Sequence, residues 1–248
     1  QITNRCPFPP KDGYCIAVYN ITRGLVLKGE EVTLLYMNTS RHFTDVDALS
    51  AEYSSLCEQH SEYVDNSIKS VDAFLNLFSR NSYNISRFYS EKFEEKLIQI
   101  LKQKKVEIVQ LEGLSLCLYL DSIRKHSKAK IILRAHNIEY KIWELLTVNE
   151  KNPIKKWYLK FLAERLKTYE HDQFSKADAI VPITSGDADY ISGIGVSKPI
   201  HVFPAGLFLS DYKTAVRNGS DLSLFHIGAM NWMPNVEGIR WFLEEVWN

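Results

Sequence analysis

The feature that most constrains this chain is a rhythm: short runs of β-branched and apolar residues alternate with longer stretches of helical character. The runs are Glu31-Val32-Thr33-Leu34-Leu35-Tyr36-Met37, Val106-Glu107-Ile108-Val109-Gln110-Leu111, Lys130-Ile131-Ile132-Leu133-Arg134 and Ala179-Ile180-Val181-Pro182-Ile183. The first shows no strict apolar/polar alternation, as a strand covered on both faces would. Helical stretches fall at residues 14–28, 91–104, 115–126 and 152–175. Gly29 suits the left-handed residue just past a helix, and Pro153 suits a first helical turn. Thr184-Ser185-Gly186-Asp187 has the spacing of a capping box opening one more helix. Parallel strands need crossovers, and helical crossovers cover both faces of the sheet. The expected fold is therefore α/β, with a doubly wound, Rossmann-like parallel sheet.

The remaining segments are less regular. Residues 1–4 read as the tail of a strand, and Cys6-Pro7-Phe8-Pro9-Pro10-Lys11-Asp12-Gly13 as a loop. Residues 47–60 look helical, 63–68 read as a short strand, and a further helical stretch is expected before residue 91. Residues 200–203 read as a last strand, followed by a turn at Pro204-Ala205-Gly206. The first domain is expected to span residues 1–206, with a polar linker over 207–221 that turns at Asn218-Gly219-Ser220. A strand at 222–227, the Gly228 loop and a helix at 236–247 then begin another α/β unit, residues 222–248, which is expected to be truncated because one strand and one helix cannot bury their apolar faces.

Lys plus Arg and Asp plus Glu each total 30, so the formal charge is zero. That argues against a general nucleic-acid binder, which needs a basic footprint to displace counterions from phosphates. The four cysteines, Cys6, Cys15, Cys57 and Cys117, have neither metal-knuckle nor disulfide-framework spacing, so a reducing cytoplasm fits best. No charged start with an apolar run and cleavage site occurs, and no stretch reaches the roughly 18 apolar residues needed to span a bilayer. Metal-binding, P-loop and nucleophile-elbow motifs do not occur either, and Gly13 stands outside any G-x-G-x-x-G pattern.

In an open parallel sheet, ligands bind beyond the carboxyl ends of the strands. The strand-end residues are Asp12-Gly13, Glu112-Gly113, Arg134-Ala135-His136-Asn137 and Thr184-Ser185. They offer close backbone approach, a carboxylate, a guanidinium and an imidazole, a set suited to a polar, hydroxyl-rich or anionic ligand. His136 can hydrogen-bond a sugar hydroxyl or move a proton, or it can simply satisfy nearby backbone groups. Glu112 can orient a hydroxyl or cap the next helix. Arg134 can grip a phosphate or form a structural ion pair. Separately, Lys151, Lys155, Lys156 and Lys160 are interleaved with Trp157, Tyr158 and Phe161. This fits either a helix lying on an anionic membrane or a core-packed helix with a solvated basic face.

Taken together, the loop from Cys6 to Gly13, Leu133-Arg134-Ala135-His136-Asn137-Ile138-Glu139, Pro204-Ala205-Gly206 and Ile227-Gly228-Ala229-Met230-Asn231-Trp232-Met233-Pro234-Asn235 resemble the group 1 (family four) glycosyltransferases, retaining enzymes of the GT-B shape. The resemblance covers essentially the whole chain and is strongest after residue 105. It implies two Rossmann-like domains facing across a cleft, the first binding an acceptor and the second a nucleotide sugar, with no metal or other cofactor. It casts His136, with Asn137 beside it, as a residue near the reacting sugar and Gly228 as part of the first donor-side loop; with the strand-end reading, Gly13, Tyr14, Glu112, Arg134 and Asn137 are expected to bind substrate. Where the family has two adjacent glycines, this chain has Gly13 and Tyr14. Ala205 replaces the middle residue of the family's Pro-Asn-Gly hinge.

The family's basic diphosphate-binding residues and paired glutamates have no counterpart in this sequence. The chain alone is therefore expected to be inactive, the complete protein being a hexosyltransferase of cell-envelope polysaccharide or glycolipid synthesis. Its expected partners are a nucleotide-sugar donor and a saccharide or lipid-linked acceptor, not nucleic acid. The expected location is the cytoplasm, with peripheral contact to the inner face of the membrane through the basic helix. A non-enzymatic α/β module that binds a nucleotide or sugar remains an alternative, as does an epimerase of the same shape.

Overall fold

The computed structural model describes residues 1–69, 76, 82–213, 224–230 and 233–247. The strands are β1 (Ile2–Thr3), β2 (Thr33–Thr39), β3 (Glu58–Val64), β4 (Ile108–Glu112), β5 (Lys130–Ala135) and β6 (Ala179–Pro182). They form one sheet in the order β3-β2-β1-β4-β5-β6, with every neighbouring pair parallel. The order reverses at β1, the switch point at which doubly wound sheets open a crevice. The sequence rhythm is thus realised as an α/β Rossmann-like sheet.

Side-chain alternation along β2 shows why both faces are covered. Leu35 and Met37 enter the large core with Leu111, Leu133 and Ile180, whereas Leu34 and Tyr36 pack with Phe8 and Tyr19 in a second cluster. Successive residues of a strand point to opposite faces, so four consecutive buried side chains require two layers of cover. Helix α1 (Gly13–Leu27) supplies Tyr19 to the second cluster, and the Asp12 carboxylate accepts from Cys15 N–H to cap it. After the one-turn helices α2 (Ala51–Ser54) and α3 (Tyr83–Ser86), α4 (Glu91–Gln103) turns Phe93, Leu97, Ile100 and Leu101 into the large core. Each such side chain contributes about 1.5–3 kcal/mol. A short 3₁₀ segment and α5 (Leu120–His126) lead into β5.

Two helices follow β5. The first, α6 (Glu139–Asn149), has no capping side chain of its own at Ile138. Its first N–H groups, of Glu139 and Tyr140, donate instead to the buried Glu170 carboxylate, at 2.9 and 3.0 Å. Glu170 lies on α7 (Pro153–Lys176), whose own start is capped by Asn152, with Pro153 in the first turn. The Thr184 hydroxyl accepts from Asp187 N–H and opens α8 (Ser185–Gly193), as the capping-box spacing predicts.

Four expectations within residues 1–206 need correction. Helix forms only at Ala51–Ser54 within residues 47–60, and strand begins at Glu58 rather than residue 63. β3 is an edge strand of mostly polar composition, its charges held by the Lys104–Glu58 and Lys96–Glu62 pairs, so it carries no apolar run to betray it. Residues 200–203 form only an isolated bridge, Ile180 to Ile200, although the N–H groups of His201 and Phe203 still donate to β6 carbonyls. Pro199 and Pro204 bracket this segment and have no N–H to extend a ladder. No turn forms at Pro204-Ala205-Gly206, where Asn20 Nδ2 donates to Gly206 O at 2.6 Å. Of the helix expected before residue 91, residues 70–75 and 77–81 lie outside the described residues, as does the expected Asn218-Gly219-Ser220 turn.

The chain divides into compact units at Gln1–Leu207 and Phe208–Asn248. In the second, α9 (Met233–Trp241) runs into a π-helical turn, Phe242–Val246. Leu224–Ile227, expected to belong to a strand, is irregular and exposed, with no strand beside it among the described residues. A strand exists only through its neighbour's hydrogen bonds.

Candidate active site at the carboxyl ends of the strands

The site begins with strand register. Glu112 ends β4 and stands opposite Thr3 of β1 on one side and Arg134 of β5 on the other. Its carboxylate is wholly buried, a position a charge occupies only when paired and hydrogen-bonded. Glu112 Oε2 lies 2.8 Å from His136 Nε2 and 3.5 Å from Arg134 Nε, while Oε1 accepts from Gln1 Nε2 at 2.7 Å and from Gln110 Nε2. Burial alone would raise its pKa, but the hydrogen bond and charge of His136, the charge of Arg134 and the Gln1 amide together hold it below the usual carboxylate range.

That ionisation fixes the chemistry of His136. A carboxylate can only accept, so the proton of this contact sits on Nε2, and a neutral ring then offers the lone pair on Nδ1. Nδ1 has no hydrogen bond to the described residues. The reading in which His136 merely satisfies backbone groups is thereby replaced by a buried-acid pairing. The alternative in which Glu112 caps the following helix fails as well, because Gly113 holds the cap position and the carboxylate faces His136 and Arg134.

Tyr14, in the first turn of α1, closes the other side. Its hydroxyl accepts from Asn4 N–H at 3.3 Å and donates to the Glu112 carbonyl at 3.1 Å. Its ring lies 4.8 Å from that of His136, tilted by 36°, and the guanidinium carbon of Arg5 lies over the Tyr14 ring, 4.6 Å from its centroid. Burial, then the Glu112 charge, pushes the phenol well above its ordinary range, so it stays protonated and able to donate. A second glycine at this place would leave the space empty; here an aromatic ring fills it.

Gly13, the first residue of α1, is exposed, and a Cβ added there would meet nothing within 4 Å. The backbone is open to a ligand on that side. Arg134 is 1% exposed, with Nε and one terminal nitrogen lacking hydrogen-bond partners among the described residues and the Phe203 ring 5.6 Å from its guanidinium carbon. It serves as counter-charge to Glu112 rather than as an open phosphate grip. Asn137 is exposed beside His136. Gly228 belongs to the second unit, where a Cβ would come 2.5 Å from His226 Nε2 and 2.8 Å from Asn235 Nδ2.

Gln1, Asn4, Arg5 and Gln110 were not anticipated. Arg5 follows β1 and could have been found by applying the strand-end rule to the first strand. Gln110 stands two residues before Glu112 and so shares its face. Among the described residues, no group of three His, Cys, Asp or Glu side chains could hold a metal ion.

The basic aromatic segment is more exposed than a core-packed helix allows. Ile154 and Trp157 are 79% and 61% exposed, Trp157 stacks on Phe161, and the buried positions of α7 begin only at Leu162. Lys155 pairs with Glu150, and Lys156 reaches the Val148 carbonyl. Among the described residues, no helix is long and apolar enough to cross a membrane.

No family model matches the chain, and no curated protein matches it either. Among solved structures it is similar to Phytolacca americana apo UGT2, at 13% identity and a TM-score of 0.47 over 83% of this chain and 51% of that one. It is similar also to the same UGT2 complexed with UDP-2fluoro-glucose and pterostilbene, at 12% identity and a TM-score of 0.47, over 83% of this chain and 54% of that one. The chain thus spans about half the length of the solved structures it matches, and a likeness this distant says nothing of activity or substrate.

Proposed function

We propose that this chain is the acceptor-side half of a retaining glycosyltransferase. The observation that carries the reading is the pairing of His136 Nε2 with the fully buried Glu112 carboxylate at the carboxyl ends of β4 and β5, beside the open backbone of Gly13. The imidazole is 10% exposed, so the pair is largely withdrawn from water yet keeps one opening at this edge. The sequence motifs around Gly13 and His136 point the same way.

In the proposed reaction, His136 Nδ1 accepts a hydrogen bond from a hydroxyl of the sugar being transferred, and Glu112 holds the ring in that tautomer. The bond between the anomeric carbon and the donor phosphate breaks, and the bond to the acceptor oxygen forms on the same face. The acceptor proton passes to the departing phosphate oxygen. Tyr14 and Arg5 wall the acceptor side. Gly228 and the second unit are assigned to the donor side. The acceptor is assigned to cell-envelope polysaccharide or glycolipid synthesis in the cytoplasm, with exposed Ile154, Trp157 and Lys160 resting on an anionic leaflet.

A panel of nucleotide sugars and acceptors tests the reading. Transfer by the complete protein and none by residues 1–248 is expected. Transfer by this chain alone overturns the half-enzyme assignment, and donor binding by the complete protein without any transfer favours the non-enzymatic module. Failure of the complete protein to bind anionic liposomes at low salt removes the membrane contact.

A further inference from the structure

The carboxyl ends of β1, β2 and β3 carry three arginines and a histidine that the reactive pair does not use. Arg5 follows β1, Arg41 and His42 lie in the turn after β2 that is closed by the Thr39–His42 bridge, and Arg87 follows α3. Their placement is built by named contacts. Arg5 NH1 is 3.4 Å from His42 Nε2. Ser40, next to Arg41, donates to Asn66 Oδ1 at 3.1 Å, and the Asn66 carbonyl accepts from Arg87 NH1 at 3.4 Å. Asn66, buried just past β3, therefore ties the Arg41 turn to Arg87.

Among the described residues, the acids nearby leave this group with excess positive charge. Asp12 pairs with Arg5 at 3.0 Å while capping α1, and Asp65 pairs with Lys69. Among the described residues, Arg41 and Arg87 have no carboxylate partner, and Arg87 Nε is buried without a hydrogen bond. The crowding of these basic groups appears in their titration, where the charged form of His42 is disfavoured. Burial, then the Arg5 and Arg41 charges, pulls His42 down, and burial, then Arg41, pulls Arg87 down. Arginines that outnumber the one carboxylate among them, Asp12, suit an anionic ligand, and guanidinium forks match phosphate oxygens in particular.

We infer that Arg5, Arg41, His42 and Arg87 form a rim that binds a phosphate ester group of the acceptor. The inference rests on the proposed acceptor role of this half and gives that acceptor a chemical class. Arg5 joins the rim to the reactive pair, since it also lies over the Tyr14 ring that packs against His136. The phosphate is either part of a soluble sugar phosphate or a lipid headgroup.

Binding can be measured without transfer, so the rim and the transferase assignment fail separately. The 248-residue chain is titrated at low salt with glycerol 1-phosphate, followed by amide NMR, and in parallel sedimented with phosphatidylglycerol vesicles against phosphatidylcholine. Binding that weakens tenfold or more in Arg41→Gln and in Arg87→Gln, is retained in Arg87→Lys and in the distant Lys128→Gln, and fades with added salt is the expected result. Arg41 lies on an exposed turn, so its variant reports on binding without threatening the fold. Saturable glycerol phosphate binding assigns a soluble ester; vesicle binding that alone responds to Arg41→Gln assigns a headgroup. No binding to either probe, or binding indifferent to both arginine variants, overturns the inference.

Discussion

The two halves of the carboxyl edge of this sheet handle charge in opposite ways. At β4 and β5, Glu112, Arg134 and His136 are gathered into a dry knot in which acid and base answer one another. At β1 to β3, Arg5, Arg41, His42 and Arg87 lie near one another with, among the described residues, Asp12 alone paired against them. A charge withdrawn from water must be matched within the protein, whereas a charge at the rim can wait for a ligand. The difference teaches how each cluster could serve the proposed reaction, the first by orienting His136 and the second by receiving an anion.

Breaking the knot should have the largest effect. Glu112→Gln leaves Arg134 buried without its counter-charge, and loss of one partner of such a pair costs about 3–5 kcal/mol. For a chain of this size that is a fall in melting temperature of roughly 10 °C, read by calorimetry. A loss below about 1 kcal/mol would remove the distinction between knot and rim.

An intermediate effect comes from pH. The Glu112 pKa is depressed, so its contribution to stability is present above the ordinary carboxylate range and is lost as pH falls through the folded value. Glu170 behaves in the opposite sense. Burial first, against the pull of the Tyr140 and Glu139 N–H groups, pushes it up to about 8, so its contribution is full below its unfolded value and is lost as pH rises toward 8. Stability is therefore expected to peak in weakly acidic solution. Glu170→Gln should flatten the alkaline fall, whose slope for one group is at most about 1.4 kcal/mol per pH unit. An unchanged slope would show that Glu170 does not titrate in that window.

The smallest effect belongs to the rim. Arg41→Gln removes one of several like charges from an exposed turn and should change stability by less than about 0.5 kcal/mol. A large loss in thermal denaturation would mean that Arg41 has a structural partner and would place the rim in the same class as the knot.

The parts of the molecule legible in the sequence were those whose causes are local. The apolar runs that became β2, β4, β5 and β6, the Pro153 start of α7 and the Thr184 cap of α8 are each written within a few residues. Strand-end position alone brought Glu112, Arg134 and His136 onto one short list, and parallel register then made two of them neighbours. What escaped was non-local. Helix α6 is capped by Glu170 from α7, thirty-one positions past Glu139, and no pattern around Ile138 announces it. β3 is a polar edge strand stabilised by partners on other elements. Tyr14 could be seen as a departure from a glycine pair, but its packing between Arg5 and His136 depends on how α1 meets β4.

The central claim is that the ring held by Glu112 takes part in sugar transfer. The most direct measurement is the rate of transfer by the complete protein carrying His136→Ala and His136→Gln, after melting curves have shown both to be folded. The account predicts that kcat falls by a hundredfold or more, the range in which a positioned proton-handling group acts, with KM for the donor little changed. Transfer within about threefold of wild type in both variants would contradict it.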